Sequence, residues 1–343
     1  MLAERRRNLS KKKSAMILYG SLVPDFARTL YCYLIAKFRN ENLIIISLYE
    51  HIGDIISCEP VIKYIKETRK PCFIVWALNK SYKELLKTHP DVDYIFPLNY
   101  FSEWIMLKKF LLLLLQPSQI IDLHINGKRC SKFKRILVKK DNGVNIENFL
   151  KEKNLLQSFS RLAGLTELNS APGFFIDKRM QEYELHGKYV VFHTNSNSLW
   201  KNWRQNHWER LCREINSMGY YAVEIGVKKE IQEGGNKYID YTGKKSLQAI
   251  ANMILNASLF IGLDSGFSHM ANALNVDGLI LLGQYTINGT IIYKYNPFSG
   301  NYALSPFIIY AENKAVKELE YSKVIKRIRD KLISVHSTSA KIV

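Results

Sequence analysis

The chain has 343 residues, 47% of them hydrophobic, which exceeds one ordinary domain and suffices to fill two cores. Its 49 Lys and Arg against 31 Asp and Glu leave a formal charge of +18, which attracts anionic partners. The five cysteines, Cys32, Cys58, Cys72, Cys130 and Cys212, are widely scattered, which argues against a disulfide framework or a structural zinc site and fits a reducing cytoplasm.

In chain order, residues 1–41 read as a basic N-terminal extension carrying Arg5, Arg6, Arg7, Lys11, Lys12 and Lys13. Within it, Met16 to Phe38 is interrupted by Pro24, Asp25, Arg28 and Lys37, so it falls short of the about 18 apolar residues that span a bilayer. It reads either as a packed helix or as an amphipathic element lying on a surface, and no small-residue cleavage site closes it.

Residues 42–175 alternate between apolar strands and helical stretches. ENLIIISLYE, CFIVWAL, the end of SYKELLKTHPDVDYIFPL, and QIIDLHI are strands whose consecutive apolar positions suit a parallel sheet covered on both faces. GDIISCEPVIKYIKETRK, Phe101 to Leu115, and Asn145 to Leu165 read as helical. Pro172 and Gly173 mark a boundary, after which the rhythm restarts over 185–315 with KYVVFHT, YYAVEIG, SLFIGLD and GLILLG as strands. Residues 316–343 form a basic helical tail. The predicted fold is α/β, with two Rossmann-like domains facing a central cleft.

A second basic group, Lys128, Arg129, Lys132, Lys134, Arg135, Lys139 and Lys140, has no acid among its members. Neither group shows the interleaved aromatics of a base-stacking platform, which disfavours nucleic acid. An anionic acceptor or a membrane surface is the expected partner, with plain solvated surface the competing reading. No GxGxxG, phosphate-binding GKS or GKT loop, GxSxG or HExxH occurs, and the eight histidines form no close ligand set, so no cofactor or metal is expected.

In such sheets ligands sit beyond the carboxyl ends of the strands. In YEHIGDIIS, Asp54 opens a helix directly after a strand and is either a helix cap or a general base. In HTNSNSLWKNWRQNHWERL, Thr194, Asn195, Ser196 and Ser198 offer hydrogen bonds, while Lys201 and Arg204 offer charge for a diphosphate. In LFIGLDSGFSHMANALNV, the strand ends at Asp264, Ser265 and Gly266, where helix amides favour phosphate. His269 there is either a phosphate ligand or a structural histidine. Gly243 and Gly283 lie beyond further strands, where a ligand can approach the backbone.

These segments resemble the ADP-heptose:lipopolysaccharide heptosyltransferases, glycosyltransferase family 9. The likeness covers residues 42–290 and is most specific over YTGKKSLQAIANMILNASLFIGLDSGFSHMANAL. The resemblance implies the GT-B fold, with the acceptor on the first domain and an ADP-linked sugar donor on the second. It implies Asp54 as catalytic base, Lys201 as the contact to the donor diphosphate, and donor-binding roles for Asp264, Ser265, Gly266 and His269. The implied reaction is metal-independent displacement with inversion, onto an anionic glycolipid or polysaccharide, with peripheral contact at the cytoplasmic face of the inner membrane. A hexose or amino-sugar transferase, a sugar-nucleotide epimerase and a non-catalytic nucleotide-sugar-binding protein are the alternatives.

Overall fold

Consecutive apolar residues become strands buried on both faces, and the strands pair in parallel. The structure, a computed structural model, describes residues 23–49, 51–115, 117–127, 143–177, 179–180, 183–196, 198–287, 290–292, 297–298, 306–311 and 314–339. Both basic groups, Arg5 to Lys13 and Lys128 to Lys140, lie outside the described residues, together with Glu50 and Cys130. Cys32, Cys58, Cys72 and Cys212 are buried free thiols.

The chain divides into two units. The first comprises Met1–His51, Glu59–Ile146 and Ser158–Glu167, and the second comprises Ile52–Cys58, Glu147–Gln157 and Leu168–Val343.

The first unit begins with a helix over residues 23–38, here α1. Strand β1 (Asn42–Ser47) follows, and the chain then enters α2 (Ile52–Ser57), which belongs to the second unit. It returns in α3 (Glu59–Thr68), β2 (Cys72–Asn79), β3 (Tyr94–Leu98), α4 (Phe101–Phe110) and β4 (Gln119–Asp122). The sheet is parallel with the order β3-β2-β1-β4. Its core joins Leu43, Ile45, Phe73 and Val75 of the strands to Trp104 and Leu107 of α4 and to Cys32 and Ala36 of α1.

Three helical stretches differ from expectation. GDIISCEPVIKYIKETRK is two helices, because Pro60 has no amide to continue the α2 ladder. SYKEL forms only a tight 3-10 turn, Lys80–Leu85, with Asn79 accepting from the Ser81 amide. The run 145–165 contains a 3-10 turn, Phe149–Lys151, and the helix α5 (Leu155–Leu162).

The second unit is built on β5 (Tyr189–His193), β6 (Tyr221–Ile225), β7 (Tyr238–Asp240), β8 (Leu259–Leu263), β9 (Gly278–Leu282) and β12 (Pro306–Tyr310). These pair in parallel in the order β12-β9-β8-β5-β6-β7. Helices α6 (Gln205–Ser217), α7 (Leu247–Leu255) and α8 (Gly266–Ala273) make the crossovers. Ser246 caps α7 by accepting from the Ala249 amide, and Gly219, at φ +93°, takes the left-handed turn after α6. An antiparallel pair, β10 (Tyr285–Ile287) and β11 (Thr290–Ile292), follows β9. The tail forms α9 (Tyr321–Ser339), whose Tyr321, Val324, Ile328 and Leu332 enter the same core as Trp203, Trp208 and Leu211.

From β5 the chain steps outward to β6 and β7, then returns to β8 on the other side of β5. Loops leaving β5 and β8 therefore diverge and open a crevice at their carboxyl ends. Helix α8 starts at that place and packs on α2. A Cβ on Gly266 would lie 2.6 Å from the Cβ of Ile52, and a Cβ on Gly53 would lie 2.7 Å from Cδ2 of His269. The two helices touch where both lack side chains. Gly266→Ala is expected to lower stability by about 1–3 kcal/mol, the usual range for overpacking. Denaturant unfolding measures it, and an unchanged midpoint would show that α2 and α8 separate freely.

Candidate active site in the second unit

The crevice between β5 and β8 gathers the strongest chemistry of the chain. Lys201, in the 3-10 turn Leu199–Lys201, places its Nζ 2.5 Å from Oδ2 of Asp264, the first residue after β8. The next residue, Ser265, precedes α8 without capping it, because its Oγ is engaged with Nδ1 of His193 at 2.8 Å. An ammonium and the start of a helix thus meet in one place, the combination that suits a phosphate.

Asp54 arrives on α2. It sits two residues past the helix start and nearly buried, so the reading of Asp54 as the cap is corrected: it occupies the first turn, where the helix dipole favours a carboxylate. One turn further along α2, Ser57 connects to the crevice. Its hydroxyl donates to the Gly53 carbonyl at 2.6 Å and lies 3.1 Å from Nδ1 of His269. A serine has one proton to give, and the carbonyl takes it, so Nδ1 of His269 is the donor in the second contact. That assigns the tautomer and points Nε2 of His269 toward Oδ1 of Asp264, 4.0 Å away. His269 is only 2% exposed and stacks on Phe298 at 4.5 Å. Of its two readings, this packing favours the structural one: the ring ties α8 to α2 through Ser57.

The polar loop after β5 is tied mainly to its own unit. Thr194 donates to Glu224 at 2.6 Å, and Asn195 donates to Glu230 at 2.7 Å. Ser196 bonds Asn202 through both its amide and its hydroxyl, each at 2.9 Å, and also contacts the Ser198 carbonyl. Arg204 donates from Nε to the Lys317 carbonyl at 2.8 Å. The glycines have packing reasons as well. A Cβ on Gly266 meets Ile52, one on Gly283 meets the Lys314 carbonyl and the Val316 amide at 2.8 Å, and Gly243 holds φ +66°. For Gly266 and Gly283 the nearest approach is thus to protein.

Three residues of the site escaped the sequence reading. Glu224 is 0% exposed and accepts from Thr194, from Tyr238 at 2.5 Å, and from the amides of Glu230 and Ile231. A lone acid within the apolar strand YYAVEIG was its only signal. His193 and Ser57 gave none, since each depends on a partner distant in sequence.

A doubly wound sheet with charge gathered at its switch point defines an α/β protein of the Rossmann kind, and comparison with known proteins narrows the class. Residues 153–297 match the model of glycosyltransferase family 9 (heptosyltransferase). Over that stretch, under half of its length, the chain is similar to that family. Autotransporter heptosyltransferase TibC of Escherichia coli O78:H11 is 28% identical over 122 residues, 33% of this chain and 30% of TibC. The chain thus matches under a third of that curated relative, whose crystal structure is described as iron-containing and dodecameric (TM-score 0.52, 18% identity, 70% of this chain and 58% of that one). A family 9 glycosyl transferase from Veillonella parvula superposes with TM-score 0.64 at 15% identity, over 85% of this chain and 97% of the other. ADP-heptose lps heptosyltransferase II of E. coli gives 0.63 at 14% identity, over 85% and 99%. Each unit therefore has the Rossmann-like α/β fold found in these structures. Among the described residues, no helix is long and apolar enough to cross a membrane.

Burial holds His193 well below the ordinary histidine value of 6.5, at about 4, so the ring is neutral at pH 7. Between these values the unfolded chain binds a proton that the folded one does not. Stability is therefore complete above pH 6.5 and declines as pH falls toward 4, by about 3 kcal/mol in full. His193→Gln is expected to flatten that part of the profile. Urea titrations at pH 7 and pH 5 test this, and an unaltered difference between the two would remove His193 from the account.

Proposed function

We propose that the protein is an inverting, metal-independent glycosyltransferase. It moves heptose from ADP-heptose to a lipopolysaccharide or related cell-surface glycan at the cytoplasmic face of the inner membrane. The observation that carries this reading is that α2, the helix of Asp54, packs through Ile52 and Gly53 on Gly266 and His269 of α8, beside the ion pair of Asp264 with Lys201. It puts a carboxylate on one element and a cation with a helix start on others, as direct displacement requires. The family match and the names of the relatives support heptose as the sugar, ADP as the nucleotide and lipopolysaccharide as the acceptor class.

In the proposed reaction Asp54 takes the proton of an acceptor hydroxyl as its oxygen bonds to the anomeric carbon of the sugar. The bond from that carbon to the diphosphate oxygen breaks, its electron pair leaves with ADP, and the configuration inverts. Lys201 and the amides at the start of α8 hold the departing charge, which grows as the bond breaks. Ser265 and Asp264 line the same crevice, and Asp264 suits a sugar hydroxyl rather than phosphate, since like charges repel.

Incubation with ADP-heptose and an acceptor lipid, read by mass, tests the reaction, and calorimetry with ADP against UDP tests the nucleotide. Asp54→Asn is expected to leave ADP binding nearly intact and to reduce transfer by about 10²–10⁴-fold. Unreduced transfer would reject Asp54 as the base. Lys201→Ala is expected to weaken ADP binding by about tenfold or more. An unaltered affinity would count against its role. Transfer is expected to survive dialysis against a chelator, and a loss restored by added metal would refute metal independence.

A further inference from the structure

The outer surface of the first unit carries a pattern that the proposed chemistry does not use. Helix α1 turns Cys32 and Ala36 into the core, while Leu30, Leu34 and Phe38, spaced by one turn, face outward, with Phe38 94% exposed. Helix α4 continues as one π-type turn, Leu111–Leu115, and Ile105, Leu112 and Leu113 lie on its outer side, with Leu113 76% exposed. The rings of Phe26 and Phe110 meet at 4.3 Å, so the two helices abut at the turn from which both apolar stripes run. A soluble protein has no folding reason to leave two adjoining helices apolar on the outside.

The charges on these helices are sorted by sign. Asp25 is 1% exposed and bridged by Arg28, and Glu103 is 0% exposed and turned onto the amides of Asn99 and Tyr100. Every exposed charge on α1 and α4, and on the residue that closes α1, is positive: Arg28, Lys37, Arg39 and Lys109. Such residues extend their methylenes over apolar surface while keeping the charge at its edge. A second copy of this face would bring cations against cations. An apolar partner that is itself negatively charged is favoured instead.

We infer that the outer faces of α1 and α4 form one docking surface for an anionic lipid bilayer, lying in its interface with the leucines and Phe38 inserted and the cations among the headgroups. Basic residues near such a surface are drawn to it by an attraction that salt screens, and the inserted side chains add a share that salt does not remove. The surface stands on the first unit alone and holds whatever sugar the second unit transfers.

Co-sedimentation of the full chain with vesicles of phosphatidylcholine, with and without phosphatidylglycerol, tests this. Binding is expected only with phosphatidylglycerol and is expected to weaken as salt rises. Leu34→Glu with Phe38→Glu, and separately Leu112→Glu with Leu113→Glu, are each expected to reduce binding by about tenfold or more. All four positions are exposed, and an unaltered thermal midpoint verifies that each variant is folded. The inference is overturned if the chain ignores the anionic vesicles or binds neutral ones equally. It is also overturned if both folded variants bind as before, which would assign the attraction to basic residues elsewhere. A dimer seen in sedimentation and dissolved by the same variants, without vesicle binding, would mean that a second copy covers this face. Sugar transfer to a short soluble acceptor, measured alongside, keeps failure of this surface separate from failure of the proposed reaction.

Discussion

The arrangement of the candidate site rests on the contact between α2 and α8, where Gly53 and Gly266 remove the side chains that would hold the helices apart. Both glycines stand in the first turn of their helices, and the chain gives up a side chain at each. In return, Ile52 seats on the start of α8, and the His269 ring lies over Gly53. Asp54 is the next residue along α2, so the fit of these two glycines helps to set its position. The linkage through Ser57 adds direction to this packing. With its one proton given to Gly53, Ser57 can only accept from His269, which leaves a single orientation for the ring.

A second constraint is the buried carboxylate of Glu224. An acid at 0% exposure is costly unless donors surround it, and Thr194, Tyr238 and two backbone amides do so. The same bonds fasten the loop after β5 to the loop after β6. Thr194 and Asn195, which offered themselves as ligand contacts by composition, act as the ties, Asn195 through Glu230. The rim on which Lys201 stands is held by that network. The side of the crevice at α8 is shaped by packing and the side at β5 by buried polar bonds, so substitutions on the two sides act through different physics.

The strands were legible because parallel strands covered on both faces are written as uninterrupted apolar runs; β2, β5, β8 and β9 are buried at every position and match those runs closely. Helix breaks were less legible. Pro60 divides one expected helix, and SYKEL lacks the length to nucleate more than a turn. Lys201, Asp264 and His269 were found from their places after strands and from family likeness, both of which are local in sequence. The role of a neighbour such as Ser57 was not, because it is defined by His269, 212 residues away. Glycines were legible only in part. Sequence marks where a side chain is forbidden, but only the fold shows whether the neighbour is a ligand or, as at Gly266 and Gly283, another part of the chain.

The ion pair of Lys201 with Asp264 sets a condition on the proposed donor. A diphosphate that claims Lys201 withdraws the cation from Asp264, and a carboxylate left facing phosphate opposes binding. The condition is met if the ligand brings its own donor to Asp264 as it takes the lysine. A free nucleoside diphosphate has no group beyond its terminal phosphate to do this, whereas a nucleotide sugar carries hydroxyls there. In the proposed reaction the two halves of one ion pair thus read the two halves of one donor, lysine the diphosphate and aspartate the sugar. When the bond between those halves breaks, the product nucleotide no longer brings the hydroxyl that satisfied Asp264, so that carboxylate competes with it for Lys201 and the ion pair closes as the nucleotide leaves. That competition favours release of the product, as turnover requires.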